Sequence, residues 1–188
     1  MKVGVESLLR KRTIIYGEAG SGKTRLLAEL LNMLSKLLPP SQITIIDLAP
    51  DRLGNIGGPV TQYTDVTVFR YLRPLKVYAP RLMASNAEDV LRYAGHNVEE
   101  ARKCFRLFAA SPTKLLAVND LTIFLHGAEA EELTEYLDMA ETFIATAYYG
   151  QSLAEDYGTG LSAKERERVE RLLALVDVKV RLNSEPGP

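Results

Sequence analysis

The amino-acid sequence predicts a three-layer α/β sandwich around a mainly parallel central sheet. Three observations predict it. Short apolar or β-branched runs recur at residues 13–16, 43–48, 114–120, 142–148 and 178–182, and runs of this length suit strands covered on both faces. Stretches with helical apolar spacing lie between them, and strands separated by helices join in parallel through right-handed crossovers. The first run also passes straight into a glycine-rich stretch followed by a leucine-rich helix.

Taken in order, Thr13, Ile14, Ile15 and Tyr16 form the first strand. The helix that follows carries Leu26, Leu27, Leu30, Leu31, Leu34, Leu37 and Leu38 on one stripe, and the pair Pro39 and Pro40 stops it. Ile43 to Leu48 is a second strand. From Ala49 to Pro80 the composition shifts to Gly, Pro, Tyr and Arg. There Gly54, Gly57, Gly58 and Pro59 mark a loop before two β-rich pieces, Val66 to Tyr71 and Lys76 to Ala79. Ser85 with Glu88 reads as a capping box, Gly95 divides the helix from a second one starting near Asn97, and Pro112 ends that unit. Leu115 to Val118 is an apolar run closing on Asn119 and Asp120, Glu129 to Ala140 has helical spacing, and Thr142 to Tyr148 is strand-like. Ser162 and Glu165 form a further capping box for a helix bearing Val169, Leu172, Leu173 and Val176, and Val178 to Leu182 closes the sheet. Residues 1–182 are expected as a single domain and 183–188 as a disordered tail.

At 188 residues the chain can bury a substantial core. Its formal net charge of −1 gives no basic footprint for nucleic acid. Cys104 is the only cysteine, so no internal disulfide forms, and its place on an apolar helix face reads as core. The leucine stripe is interrupted by Glu29, Asn32, Ser35 and Lys36, too short and polar to span a bilayer. The expectation is a cytoplasmic protein with no membrane segment. His96 and His126 lack partners at metal-ligand spacing and read as surface or capping residues, with no zinc site.

The chemistry concentrates in Gly17, Glu18, Ala19, Gly20, Ser21, Gly22, Lys23 and Thr24, a full G-x-x-x-x-G-K-[ST] pattern between strand and helix. Glycines let the backbone curl its N–H groups around an anion, and the helix N-terminus adds partial positive charge. Lys23 then reaches the terminal phosphates, the Thr24 hydroxyl completes a magnesium shell, and Arg25 is placed to touch a phosphate or face solvent. Ligands of parallel sheets gather at strand carboxyl ends. Asp120 at one end is the candidate magnesium acid; Asp47 and Asp51 after the second strand are candidates to activate an attacking water; Thr146 is a candidate sensor of the γ-phosphate. Arg70, Arg73 and Arg81 are candidate arginine fingers. Asp51 to Gly54 spells D-x-x-G, but no N-K-x-D follows, which favours ATP over GTP.

The loop on the first strand, a terminal acid on a later one and a Thr-bearing strand after that make the chain resemble RecA/KaiC-like ATPases, in the additional-strand class of P-loop NTPases. The resemblance covers residues 13–182 as an order of elements and is specific only at Gly17 to Thr24. It implies a core strand order of 5-1-4-3-2, with Gly17, Gly20, Gly22, Lys23 and Thr24 matching the Walker A loop and Asp120 the Walker B acid. Ala49 stands where RecA-like enzymes carry a catalytic Glu, and Leu121 stands where AAA+ relatives carry an acid after Walker B. The implied function is an ATP-binding module with slow or partner-activated Mg-ATP hydrolysis coupled to a conformational switch, using a protein partner or self-association. A small-molecule kinase and a non-hydrolysing ATP-binding regulatory subunit are the alternatives.

Overall fold

A computed structural model describes residues 4–54 and 56–183. Within the expected tail, residues 184–188 lie outside the described residues. The strands are β1 (Arg12–Gly17), β2 (Ile43–Asp47), β3 (Arg70–Leu72), β4 (Leu115–Asn119), β5 (Thr142–Tyr148) and β6 (Val178–Leu182). The helices are α1 (Lys23–Leu34), α2 (Pro80–Met83), α3 (Ala87–Ala110), α4 (Thr122–Leu125), α5 (Ala130–Leu137) and α6 (Leu161–Ala174).

All strand pairs are parallel, and the order across the sheet is β3-β2-β4-β5-β1-β6. The three-residue edge strand β3 is additional to the expected core; the other five, counted without it, run 5-1-4-3-2. Side-chain alternation sorts each strand onto two faces. Ile15, Ile43, Ile45, Leu115, Ala117 and Ile144 pack with Leu27, Leu31 and Leu34 of α1. Ile14, Ile46, Leu116, Val118, Phe143 and Ala145 pack on the opposite face with Phe105 and Phe108 of α3 and Val169 and Leu172 of α6. Every residue of β2, β4 and β5 is buried, as helices on both faces require.

Several boundaries depart from expectation. The first helix stops at Leu34, where Leu37 and Leu38 both donate to the Leu34 carbonyl and tighten the chain toward β2. Of the two β-rich pieces only Arg70–Leu72 forms a strand. Gly95 does not divide two helices: α3 runs unbroken for 24 residues. A Cβ at Gly95 would meet open space, so the glycine faces solvent, while Val90, Ala94, Val98, Ala101, Phe105 and Phe108 hold the helix to the core. Mid-helix glycine costs about 1 kcal/mol, less than this apolar stripe supplies.

The capping boxes also shift. Asn86 rather than Ser85 caps α3, its side chain accepting from the Asp89 amide at 2.9 Å. The α6 cap comes from Asp156, which accepts from the Ser162 amide at 2.9 Å, and Glu165 turns inward instead of capping. His126, expected as a surface or capping residue, is buried beside it. Cys104 is buried in the α3 face, where desolvation raises its thiol to about 11. Among the described residues no helix is long and apolar enough to cross a membrane.

Candidate functional site

The loop from Gly17 to Thr24 crosses the carboxyl end of the sheet between β1 and α1. Gly17 has φ of +150°, and a Cβ there would sit 2.1 Å from the Leu182 carbonyl oxygen of β6. The close approach of β6 therefore demands glycine. Gly22 has φ of +86° and stands at the N-cap of α1, which has no side-chain cap. The first-turn amides of α1 lack intrahelical acceptors, so they face the cleft with the helix dipole behind them.

Glu18 braces this loop from its outer side. Its carboxylate accepts from the amides of Gln151 at 2.8 Å and Ala19 at 2.9 Å and from the Ser152 amide and hydroxyl. Partial burial works against ionisation, but the hydrogen bonds of Ser152, Gln151 and Ala19 outweigh it and hold the carboxyl down at about 2. The Lys23 ammonium folds back over the loop, donating to the Glu18 carbonyl at 2.5 Å and to Ser21 Oγ at 3.4 Å. Burial lowers the Lys23 pKa, against the pull of Asp120 and Glu18. An ammonium held over uncapped amides is a concentration of positive charge awaiting an anion.

Across from the loop, the carboxyl ends of β2, β4 and β5 meet in a buried polar network. Thr24 Oγ1 donates to Asn119 Oδ1 at 3.1 Å, and Thr146 Oγ1 donates to the same oxygen at 3.0 Å. Asn119 Nδ2 donates to Asp47 Oδ1 at 2.9 Å. Asp120 follows with φ of +57°, its amide donating to Thr146 Oγ1 at 2.8 Å and its carboxylate accepting from Thr122 Oγ1 at 2.6 Å. Burial pushes the Asp120 carboxyl up, opposed by the Thr122 hydrogen bond and the Lys23 charge. The residue bonded to the loop hydroxyl is therefore a neutral amide, Asn119, with the acid one position later.

Loop and network enclose a cleft of about 580 Å³ lined by residues 19–25, Asp120 and Thr146, together with Arg52, Gly57, Gly58, Tyr63 and Tyr148. The structure thus brings Lys23, Thr24, Asp120 and Thr146 together. Arg25 borders the cleft with its side chain 69% exposed, near Glu29. Asp47 and Asp51 are not in this wall. Asp47 is spent on the post-β2 loop, accepting from Val60 N at 2.7 Å and Tyr71 OH at 2.8 Å besides Asn119. Burial raises its pKa against those donors. Asp51 is exposed and pairs with Arg73 at 2.9 Å. The three arginine-finger candidates are also engaged: Arg70 with the carbonyls of Leu107 and Ser111 at the α3 end, Arg73 with Asp51, Arg81 with Glu165. Sequence reasoning missed Asn119, for which the strand-ending Asn-Asp pair was the available signal, and Arg52 and Tyr63, for which there was none.

No protein-family model matches the chain, and no curated protein matches it. Among solved structures, 98% of the chain aligns with 39% of the Pif1 helicase from Candida albicans, at 13% identity and a TM-score of 0.39. A second alignment joins 93% of the chain to 51% of a prototypical ATPase from the type III secretion system of pathogenic bacteria, at 14% identity and a TM-score of 0.44. The chain therefore spans well under two thirds of either protein.

Proposed function

We propose that this chain is a RecA-like nucleotide-binding module of the additional-strand class of P-loop NTPases that binds Mg-ATP and hydrolyses it slowly or with a partner's help. The observation that carries the reading is the juxtaposition of the Gly17–Thr24 loop, its αL glycine at the uncapped start of α1, and the Asp120 carboxylate in one cleft. The core strand order, with the loop strand β1 next to the Thr146-bearing β5, supports it.

The donor set suits magnesium. Thr24 and Asp120 offer only oxygen, and among the described residues no cluster of three or more His, Cys, Asp or Glu could hold an ion unaided. Magnesium characteristically takes one or two protein oxygens and completes its shell with phosphate and water. When bound it would neutralise charge on the phosphoryl oxygens. Lys23 would exchange the Glu18 carbonyl for the β- and γ-phosphates, and the loop amides would hold the phosphate chain in line for attack. Thr146 fixes the Asn119–Asp120 turn through its hydroxyl and its carbonyl, the latter accepting from Leu121 N at 2.8 Å.

The switch follows from the loop contacts. Asn119 Nδ2 also donates to the Gly58 carbonyl at 3.3 Å, so a shift of Thr24 and Asn119 on nucleotide binding would be felt in the post-β2 loop. A protein partner or a second copy reading that loop, and supplying an arginine, completes the proposal.

Purified chain is mixed with Mg-ATP and phosphate release is followed, alongside a thermal-shift series. Saturating nucleotide at about one hundred times Kd stabilises by about 2.7 kcal/mol. Steady phosphate release supports the hydrolase; binding without release until an alcohol acceptor is added supports a kinase. Lys23→Ala should abolish the shift, and a retained shift removes the site.

A further inference from the structure

A group of buried ionisable side chains lies behind the nucleotide cleft and has no part in the phosphate chemistry above. Arg81 of α2 grips Glu165 of α6 with both ends of its guanidinium, Nη1 to Oε1 at 2.9 Å and Nη2 to Oε2 at 3.0 Å. The carboxylate also accepts from His126, which follows α4, with Nε2 to Oε2 at 2.6 Å. The three side chains are only 6%, 4% and 2% exposed. Burial works to raise the Glu165 pKa, but the hydrogen bonds from His126 and Arg81 and the Arg81 charge outweigh it and keep the carboxyl below its ordinary value.

The carboxylate accepts at Nε2, so this contact selects the Nε2–H tautomer of the His126 ring, which leaves a lone pair on Nδ1. His126 Nδ1 is buried and makes no hydrogen bond among the described residues. A buried imidazole nitrogen without a partner is costly as mere packing. His126, Glu165 and Arg81 border a chamber of about 60 Å³ whose other walls include Asp120, Ile56 and Tyr148, residues that also line the nucleotide cleft. That volume holds a few waters or one small hydroxyl group.

We propose that His126, oriented by Glu165, accepts the proton of the O–H nucleophile that attacks the γ-phosphorus. This rests on the hydrolase reading of the cleft. The nucleophile, water in that reading, sits at the mouth of the chamber and gives its proton to Nδ1. Its oxygen forms the new bond to phosphorus. The bond from phosphorus to the β,γ-bridging oxygen breaks, and ADP leaves with that electron pair. The imidazolium is stabilised by Glu165, whose charge Arg81 shares, and its proton later passes to solvent. The charged groups around the chamber are Glu165, Arg81, Asp120 and Asp51. The arrangement supplies the base that Asp47 and Asp51, occupied elsewhere, do not.

The test measures ATP affinity and phosphate release separately for wild type, His126→Gln and His126→Ala, with and without free imidazole, with thermal unfolding recorded for each. Both variants should lose about 100-fold or more in kcat with ATP affinity held within about twofold, and imidazole should restore part of the rate to His126→Ala alone. His126→Gln, whose amide can still donate to Glu165, carries the test should the alanine variant unfold. Wild-type turnover in His126→Gln overturns the proposal, as does a parallel fall in affinity and turnover, the mark of a structural role. A wild-type chain that binds ATP and never releases phosphate overturns the slow intrinsic hydrolysis on which this proposal rests, and this proposal with it.

Discussion

Thr24 and Asn119 are joined by a 3.1 Å hydrogen bond that ties the Gly17–Thr24 loop to the end of β4 through a neutral amide. The Asn119 amide group faces two ways, its oxygen accepting from Thr24 and Thr146 and its nitrogen donating to Asp47. Only a side chain with both an acceptor and a donor satisfies that position. Asn119→Asp would remove the donor to the buried Asp47 and set a second carboxyl against it, and losing a hydrogen bond to a charged group costs about 1.5–3 kcal/mol. Urea unfolding should show that loss. An unchanged midpoint would mean the network does not hold the strand ends together.

Asp120 is the acid that lines the cleft and is the magnesium group of the proposal. Asp120→Asn should leave the nucleotide-induced thermal shift in EDTA intact while removing the additional shift that magnesium produces. Equal magnesium increments in wild type and variant would take the metal away from this carboxylate.

Two of the loop glycines should differ in what alanine costs. At Gly22 a Cβ meets nothing within 4 Å, so Gly22→Ala adds only left-handed backbone strain of about 1–2 kcal/mol. At Gly17 the Cβ would collide with the Leu182 carbonyl at 2.1 Å and push β6 away from β1. Gly17→Ala should be clearly the more destabilising in equilibrium unfolding, and the reverse order would contradict the β1–β6 contact.

Glu18 sets a pH window. Its carboxyl sits at about 2 in the folded chain against 4.5 ordinarily, a depressed value. A depressed carboxyl stabilises above its unfolded pKa and loses that contribution as the pH falls through the folded one. The stability difference between wild type and Glu18→Gln should be constant above about pH 4.5 and shrink between there and pH 2. A difference independent of pH would mean the Gln151–Ser152 segment is held by something else.

Legibility followed the range of the interactions. The Gly17–Thr24 loop, β5 and β6 stand where their residues alone place them, because strand runs and glycine spacing are local signals. Gly95 read as a break because propensity is local too, yet α3 continues through it, its apolar residues packed on the sheet. Glu165 fits a capping box in sequence, but Arg81 and His126 draw it inward, and those partners lie 84 and 39 residues away. Asp120 and Asn119 are adjacent in the chain; which of them meets Thr24 depends on the positive φ at Asp120 and on the register of β4 against β2 and β5.

The sequence by itself determined that a glycine-rich loop joins a strand to a helix, and that strands and helices alternate in a parallel sheet. Both are written in spacings of a few residues. Only the tertiary structure decided which polar groups stand together: Asn119 on Thr24, Asp47 withdrawn into the post-β2 loop, and His126 locked to Glu165 behind the cleft. Buried polar groups must find partners wherever the packed chain brings them, and in these cases the partners lie 13 to 95 residues away.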